Sequence, residues 1–178
     1  MSIKLTFRKS NISDLDQIMQ IINDAKAALK EMKVDQWQDN NSAEPSEITI
    51  REDIKSGISY VIEQCGTIVL GHGVLLFGIE PTYKSITGGA WHSNQPYAVI
   101  HRVATSKLHK QNGVSLFLFE NFERVCLKNN IDWLRIDTHK DNVPMLKLIE
   151  KTNYKKSGII YLDSGAERIA FEKCLSKK

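Results

Sequence analysis

A chain of 178 residues, 42% hydrophobic and 25% charged, can bury one sizeable core, and with no long polar or repetitive tract it is not a disordered or fibrous protein. Its 24 Lys and Arg against 21 Asp and Glu leave a net charge of +3, too small and too dispersed to argue for nucleic acid. No window approaches about 18 apolar residues and the amino terminus alternates polar with apolar, so neither a signal nor a membrane partner is expected and the cytoplasm is the expected location.

The first element is a half-buried strand, IKLTFRK, with Ile3, Leu5 and Phe7 on one face. Ser13 is placed to cap a helix whose stripe is Leu15, Ile18, Ile22 and Ala25, and which fades in the polar segment around Trp37. A second helix is predicted from Pro45 to Lys55, with Pro in its first turn and Gly57 ending it. ISYVIEQ and TIVLGHGVLLF read as two strands of a hairpin turning at Cys65-Gly66. Gly71 and Gly73 inside the second strand imply a bulge, a close backbone approach or simply a weaker strand.

A turn-rich, aromatic excursion, IEPTYKSITGGAWHSNQP, then leads to YAVIHRVAT, whose alternation places Tyr97, Val99, His101, Val103 and Thr105 on one face of a strand. Val114, Leu118, Phe122 and Val125 recur at helical spacing over about residues 113–128. DWLRIDT is a strand, DNVPMLKLIEKT a helix capped by Asp141 or Asn142, and YKKSGIIYL and RIAFEK are two closing strands. The strand-helix-strand run over residues 97–138 implies a right-handed crossover between parallel neighbours, whereas the hairpins imply antiparallel ones. The fold class expected is α/β (α+β), one domain over residues 1–178 with a mixed, mainly antiparallel sheet of six to seven strands and about four helices. Cys65, Cys126 and Cys174 lie far apart with no CxxC spacing, so reduced structural thiols are expected, without a disulfide framework or a metal.

The segment HKQNGVS, residues 109–115, joins a strand to a helix. Free backbone N–H groups and the positive end of a helix dipole at such a junction suit an anion, and Gly113 permits a tight turn, although a single glycine before a helix is also an ordinary connection. Together with the order of elements from about Ile3 to Lys173, the opening FRKSNISDLDQI, and DTHKDNVPMLKLIEKTNYKKSGIIYL, this segment resembles the GNAT superfamily of acetyl-CoA-dependent N-acyltransferases, in particular bacterial members. Their pyrophosphate loop runs Arg or Gln, two variable residues, Gly, one variable residue, then Gly or Ala. Here it reads Lys110, Gln111, Asn112, Gly113, Val114, Ser115, with Lys in the first place and Ser in the last. Lys neutralises phosphate as a point charge rather than a planar fork.

The resemblance implies acetyl transfer from acetyl-CoA to a primary amine by direct attack in a ternary complex, with no metal. The acceptor would be a small-molecule amine or a protein amino terminus, and a homodimer is left open. Backbone groups of Val103 and Thr105 would hold the pantetheine arm as an added strand, the N–H groups from Gln111 to Ser115 the pyrophosphate, and Asn142 would contact the cofactor as well as cap its helix. An amide N–H at Val103 or a neighbour would polarise the thioester carbonyl.

His101 is the candidate base, because an imidazole titrates near neutrality, and Glu63 acting through water is the fallback. Family members often carry a tyrosine seven residues after the asparagine as the acid. Ile149 stands there in this chain, so Tyr161 or Tyr154 or solvent must supply the proton. Trp37, Tyr83 and Trp91 are candidates for an acceptor pocket or for stacking on a cation, and His139 is a candidate ligand-facing residue at a strand end. Arg102 is placed for an ion pair, with Asp137 as a candidate partner. The alternative reading is a non-catalytic CoA- or acyl-CoA-binding protein of the same fold.

Overall fold

The computed structural model describes residues 5–38, 44–108 and 113–176. Within them lie seven strands and four α-helices in the expected order: β1 (Leu5–Lys9), α1 (Leu15–Glu31), α2 (Glu47–Lys55), β2 (Ser59–Gln64), β3 (Ile68–Phe77), β4 (Tyr97–Thr105), α3 (Val114–Lys128), β5 (Trp133–Thr138), α4 (Val143–Lys151), β6 (Lys155–Tyr161) and β7 (Glu167–Cys174). The strands form one sheet in the order β1-β2-β3-β4-β5-β7-β6. β4 and β5 pair in parallel, whereas the β1–β2, β2–β3, β5–β7 and β6–β7 pairs are antiparallel. No helix among the described residues is long and apolar enough to cross a membrane.

Contacts group the chain into two compact units, one of the residues up to Leu75 with Arg102–Asn121, the other of Leu76–His101 with the residues from Phe122 onward. In the first, Leu15, Ile18 and Ile22 of α1 pack with Ile50 of α2, Val61, Val69 and Ala104, each buried Val, Leu or Ile contributing about 1.5–3 kcal/mol. The cap before α1 is not Ser13. Asn11 accepts from Ser13 N while the Asp14 carboxylate accepts from Asn11 N, a capping box around a 3-10 turn, Ile12–Asp14. Arg8 anchors that box, holding Asp14 at 2.7 Å and Glu63 at 2.6 Å, and its guanidinium draws the Asp14 carboxyl below the usual carboxylate range.

α2 is capped by Ser46, which accepts from Thr49 N, so Pro45 lies outside the helix rather than in its first turn, while Gly57 follows the end with φ 69°. Cys65 and Gly66 both have positive φ, 54° and 75°, the conformation of a type I′ hairpin turn. In the second unit Tyr83, Val99, Ile160 and Ala170 form the core. Cys126 is buried, and burial pushes its thiol up to about 12, which keeps it protonated and inert.

Two details of β3 and β4 bear on the site. A Cβ on Gly71 would stand 2.8 Å from Val114 Cγ1, so the glycine exists for close approach of the first residue of α3, and the β2–β3 register also shifts between Ile62 and Glu63. β4 does not keep the single face expected from alternation. Ala98, Val99 and Ile100 are all buried, and Arg102 is left-handed at φ 52°, which costs an L-residue about 1–2 kcal/mol. Such a break, of the bulge kind, resets which side chains share a face. Pairing of β4 with β5 covers Tyr97 to Val99.

The turned Arg102 carbonyl meets a buried imidazole. His72 Nδ1 lies 3.1 Å from Arg102 O, its Nε2 3.0 Å from Ser59 Oγ, and Ser10 Oγ donates to Ser59 Oγ at 2.6 Å. Burial lowers the His72 pKa from its ordinary 6.5 to about 4, with the Arg102 charge adding in the same direction and the carbonyl opposing. At neutral pH the ring therefore carries one N–H. A carbonyl only accepts, so that proton is on Nδ1, and Nε2 accepts from Ser59.

The Gly71→Ala variant should lose about 1–3 kcal/mol of stability, read from denaturant unfolding, with Val114→Ala in the same chain recovering part of it. Because the folded-state pKa of His72 is depressed, the unfolded chain binds more protons between pH 6.5 and 4. Stability from this residue is then complete above 6.5 and lost as pH falls toward 4, by about 3 kcal/mol. Unfolding free energies over that window should fall for the native chain and fall less for His72→Asn.

Candidate functional site

His101 precedes the Arg102 break and Val103 follows it. His101 Nε2 lies 3.0 Å from Glu80 Oε2, and this bond is the largest influence holding the Glu80 carboxyl below its usual range. Glu80 also starts the 3-10 turn Pro81–Lys84, accepting from Thr82 N at 3.4 Å, while its own N–H donates to Tyr97 Oη at 3.2 Å. Thr82 thus holds the carboxylate and Tyr97 the Glu80 backbone where the residue meets the imidazole. A carboxylate accepts, so it selects the Nε2–H tautomer and leaves the Nδ1 lone pair to take a proton.

The end of β4 leads into the candidate phosphate junction. Ser106 N donates to Leu70 O at 2.8 Å. Lys110, Gln111 and Asn112 lie outside the described residues. Gly113 has φ 97°, a conformation that suits glycine, and its carbonyl accepts from Phe117 N at 2.8 Å to open α3. Val114 is buried against Gly71 and Ser115 is half-buried in the first turn. A 15-residue helix presents its unpaired N–H groups and positive dipole end there, a setting that fits a pyrophosphate.

Several expected residues take other parts. Glu63 is held by Arg8 Nε at 2.7 Å, a part-buried ion pair that engages the carboxylate. Tyr161, 45% exposed at the end of edge strand β6, donates to Glu167, its register partner in β7, at 3.2 Å. Tyr154 is buried, with Lys173 over its ring, and burial raises its pKa well above the ordinary value. Ile149 is a core residue of α4. Asn142 caps α4, its side chain accepting from Met145 N at 3.3 Å. His139 Nδ1 accepts from Asp141 N at 3.1 Å and so shapes the turn into α4.

Trp37 packs on the core of the first unit. Tyr83 is a core residue of the second rather than a pocket wall: its hydroxyl donates to Asp137 at 2.7 Å and its carbonyl accepts from Trp91 Nε1 at 2.9 Å. Trp91 does stack on a cation, but the cation is the protein's own. The Arg135 guanidinium lies 4.0 Å from the Trp91 ring centroid and 3.9 Å from that of Tyr97, bonded to Glu172 and to Ser93 O. Glu172 in turn accepts from His92 N, so the excursion is tied down at residues 91–93. Trp91 also borders an open depression of about 510 Å³ with Gly88, Gly89, His92 and Lys156. Arg102 pairs with Asp53 at 3.4 Å and not with Asp137, whose partner is Tyr83. No group of three or more potential metal ligands occurs among the described residues.

Glu80 is a candidate functional residue that sequence reasoning missed. It sits before a proline in an excursion without periodicity, and the only local signal was Glu-Pro as the start of a turn.

No protein-family model matches the sequence, and no curated protein does. Solved structures do. A GNAT-family acetyltransferase from Streptococcus agalactiae 2603 is 29% identical, with 100% of this chain and 99% of that one covered at a TM-score of 0.84. A protein assigned as an acetyltransferase from Staphylococcus aureus Mu50 is 26% identical over 96% and 99%, TM-score 0.72. At 14% identity and a TM-score of 0.66 the fold is shared over 98% of this chain and 100% of the other with a chain of the NatC complex bound to Gag peptide and CoA. With its mixed seven-stranded sheet and its likeness to the two bacterial acetyltransferases along nearly its whole length, the chain has the fold of the GNAT superfamily and is similar to its acetyltransferases.

Proposed function

We propose that the protein is an acetyl-CoA-dependent N-acetyltransferase acting on a primary amine, a small molecule in the first instance and a protein amino terminus in the second. The observation that carries this reading is the stretch His101-Arg102-Val103, where an imidazole paired with Glu80 is followed by a break in β4 that redirects the backbone. The NatC structure, whose fold is shared, is bound to CoA and a peptide, which supports CoA as donor and an amine as acceptor.

In this reading Val103 and Thr105 hold the pantetheine arm through their backbone groups, and the start of α3 with Gly113, Val114 and Ser115 takes the pyrophosphate, joined by Lys110, Gln111, Asn112 and Asn142. The Val103 N–H stabilises negative charge on the thioester carbonyl as the neutral amine attacks. His101 Nδ1 removes the proton that the amine nitrogen must lose, and Glu80 stabilises the imidazolium so formed. The C–S bond breaks, and the thiolate takes a proton from solvent, since Tyr161 is engaged with Glu167 and Ile149 has no proton to give. Ile149 also favours the second reading, a CoA-binding protein without turnover.

Thermal unfolding with acetyl-CoA, CoA and ATP separates binding from its absence, because ligand at about 100 times its Kd adds roughly 2.7 kcal/mol. Both CoA species should raise Tm by several degrees and ATP should not; no shift with CoA sinks both readings. Thiol release with acetyl-CoA and a panel of a polyamine, an arylalkylamine and a peptide with a free amino terminus then decides between them. His101→Ala should keep CoA binding and lose about 10² or more in kcat, and Glu80→Gln should lose less.

A further inference from the structure

We propose that His72 is a positioning residue for acetyl transfer, and that its imidazole, locked by Ser59, sets the direction of the Val103 N–H through the Arg102 carbonyl. The proposal rests on the function just described. Arg102 C=O and Val103 N–H belong to one peptide unit, which is planar and trans, so the two bonds point in opposite directions. Holding the oxygen toward β3, at 3.1 Å from His72 Nδ1, aims the N–H away from β3. That N–H is the one assigned to the thioester oxygen.

The imidazole is a costly choice for its position. His72 is fully buried on a strand with the buried Leu70, Val74 and Leu75, where an aliphatic side chain would pack without burying polar atoms. Both its nitrogens are engaged: the carbonyl at Nδ1 requires the tautomer that donates to Arg102, and Ser59, which accepts from Ser10, donates to Nε2. A ring free to choose would at times place a lone pair against the carbonyl. The left-handed Arg102 has a further hold in Asp53, at 3.4 Å from its guanidinium, but that contact acts on the side chain and leaves the peptide plane unset. A hold on the carbonyl itself, whose orientation matters, comes from the His72 bond.

The test compares His72→Leu, which removes the donor, with His72→Asn, whose amide nitrogen can take the place of Nδ1, in the full chain at a temperature where both are folded. With acetyl-CoA and the best acceptor of the panel, His72→Leu should lose about 10²–10³ in kcat, as removal of an oxyanion donor does, with the acceptor KM changed less than about threefold. His72→Asn should recover most of that loss. A residue that only fills the core would move Tm and leave kcat alone, and a folded His72→Leu variant with native kcat overturns the proposal. Should His72→Leu not fold, Ser59→Ala removes the donor to Nε2 that locks the ring and should cost about tenfold in kcat, native kcat there being the refuting result.

A second readout needs no turnover. In the CoA complex the Arg102 carbonyl 13C and Val103 amide 15N shifts should move in His72→Leu and return in His72→Asn; unmoved shifts overturn the proposal even in an active enzyme. Native protein that shows these shifts yet acetylates nothing overturns the catalytic reading instead.

Discussion

A carbonyl oxygen can accept a hydrogen bond but never give one, and the Arg102 carbonyl accepts from an imidazole that water does not reach. That donor stands where β4 leaves regular strand geometry. Without that bond a turned, part-buried carbonyl would lose about 0.5–1.5 kcal/mol, added to the cost of a left-handed arginine. The strand would then gain by returning to an ordinary path. The interaction depends on a chain of hydroxyls that begins at Ser10, at the end of β1, and passes through Ser59 at the start of β2. Three strands therefore cooperate to keep one peptide turned.

The residues flanking that turn depend on it. His101 sits immediately before it with Glu80 on one nitrogen, and Val103 immediately after it. Beyond them Gly71 allows Val114 to pack closely, which seats the start of α3 near the end of the same strand. An acyl-transfer site needs a polarising N–H and an anion cradle, and the stretch from Val103 to the start of α3 supplies the proposed candidates for both. Backbone groups held rigidly, rather than a crowd of side chains, can meet most of that requirement.

The aromatic excursion between β3 and β4 shows the opposite outcome of an equally plausible expectation. Trp91 and Tyr97 enclose Arg135, and Tyr83 is buried with its hydroxyl on Asp137, so rings that suggest a ligand pocket are largely taken up by the protein's own cation and core. A buried guanidinium bonded to Glu172 and Ser93 is a demanding group to satisfy, and it draws the loop in around itself. The exception is Glu80, which leaves the same excursion to meet His101. Sequence types alone did not separate these cases, because tryptophan on a substrate and tryptophan on an arginine look the same in one dimension.

Elements with strong periodicity were legible from the residues. β4 at Tyr97–Thr105, the Cys65-Gly66 hairpin, the end of α2 at Gly57 and the Asn142 cap were all present in local patterns, because propensity, capping and turn chemistry act over a few neighbouring residues. The cap of α1 was misplaced by two residues because its second half, Asp14, answers to Arg8 on β1. Glu63 reads as a solvated strand residue until Arg8 is beside it. The face of β4 was lost for a like reason: alternation assumes each residue extended, and Arg102, whose carbonyl meets His72 from 30 residues earlier, departs from that. The sequence by itself determined which segments are strands and helices and that a histidine would stand on β4. Only the tertiary structure decided which carboxylate that histidine meets and which way the next peptide turns, since those depend on hydrogen bonds between residues that proximity along the chain does not bring together.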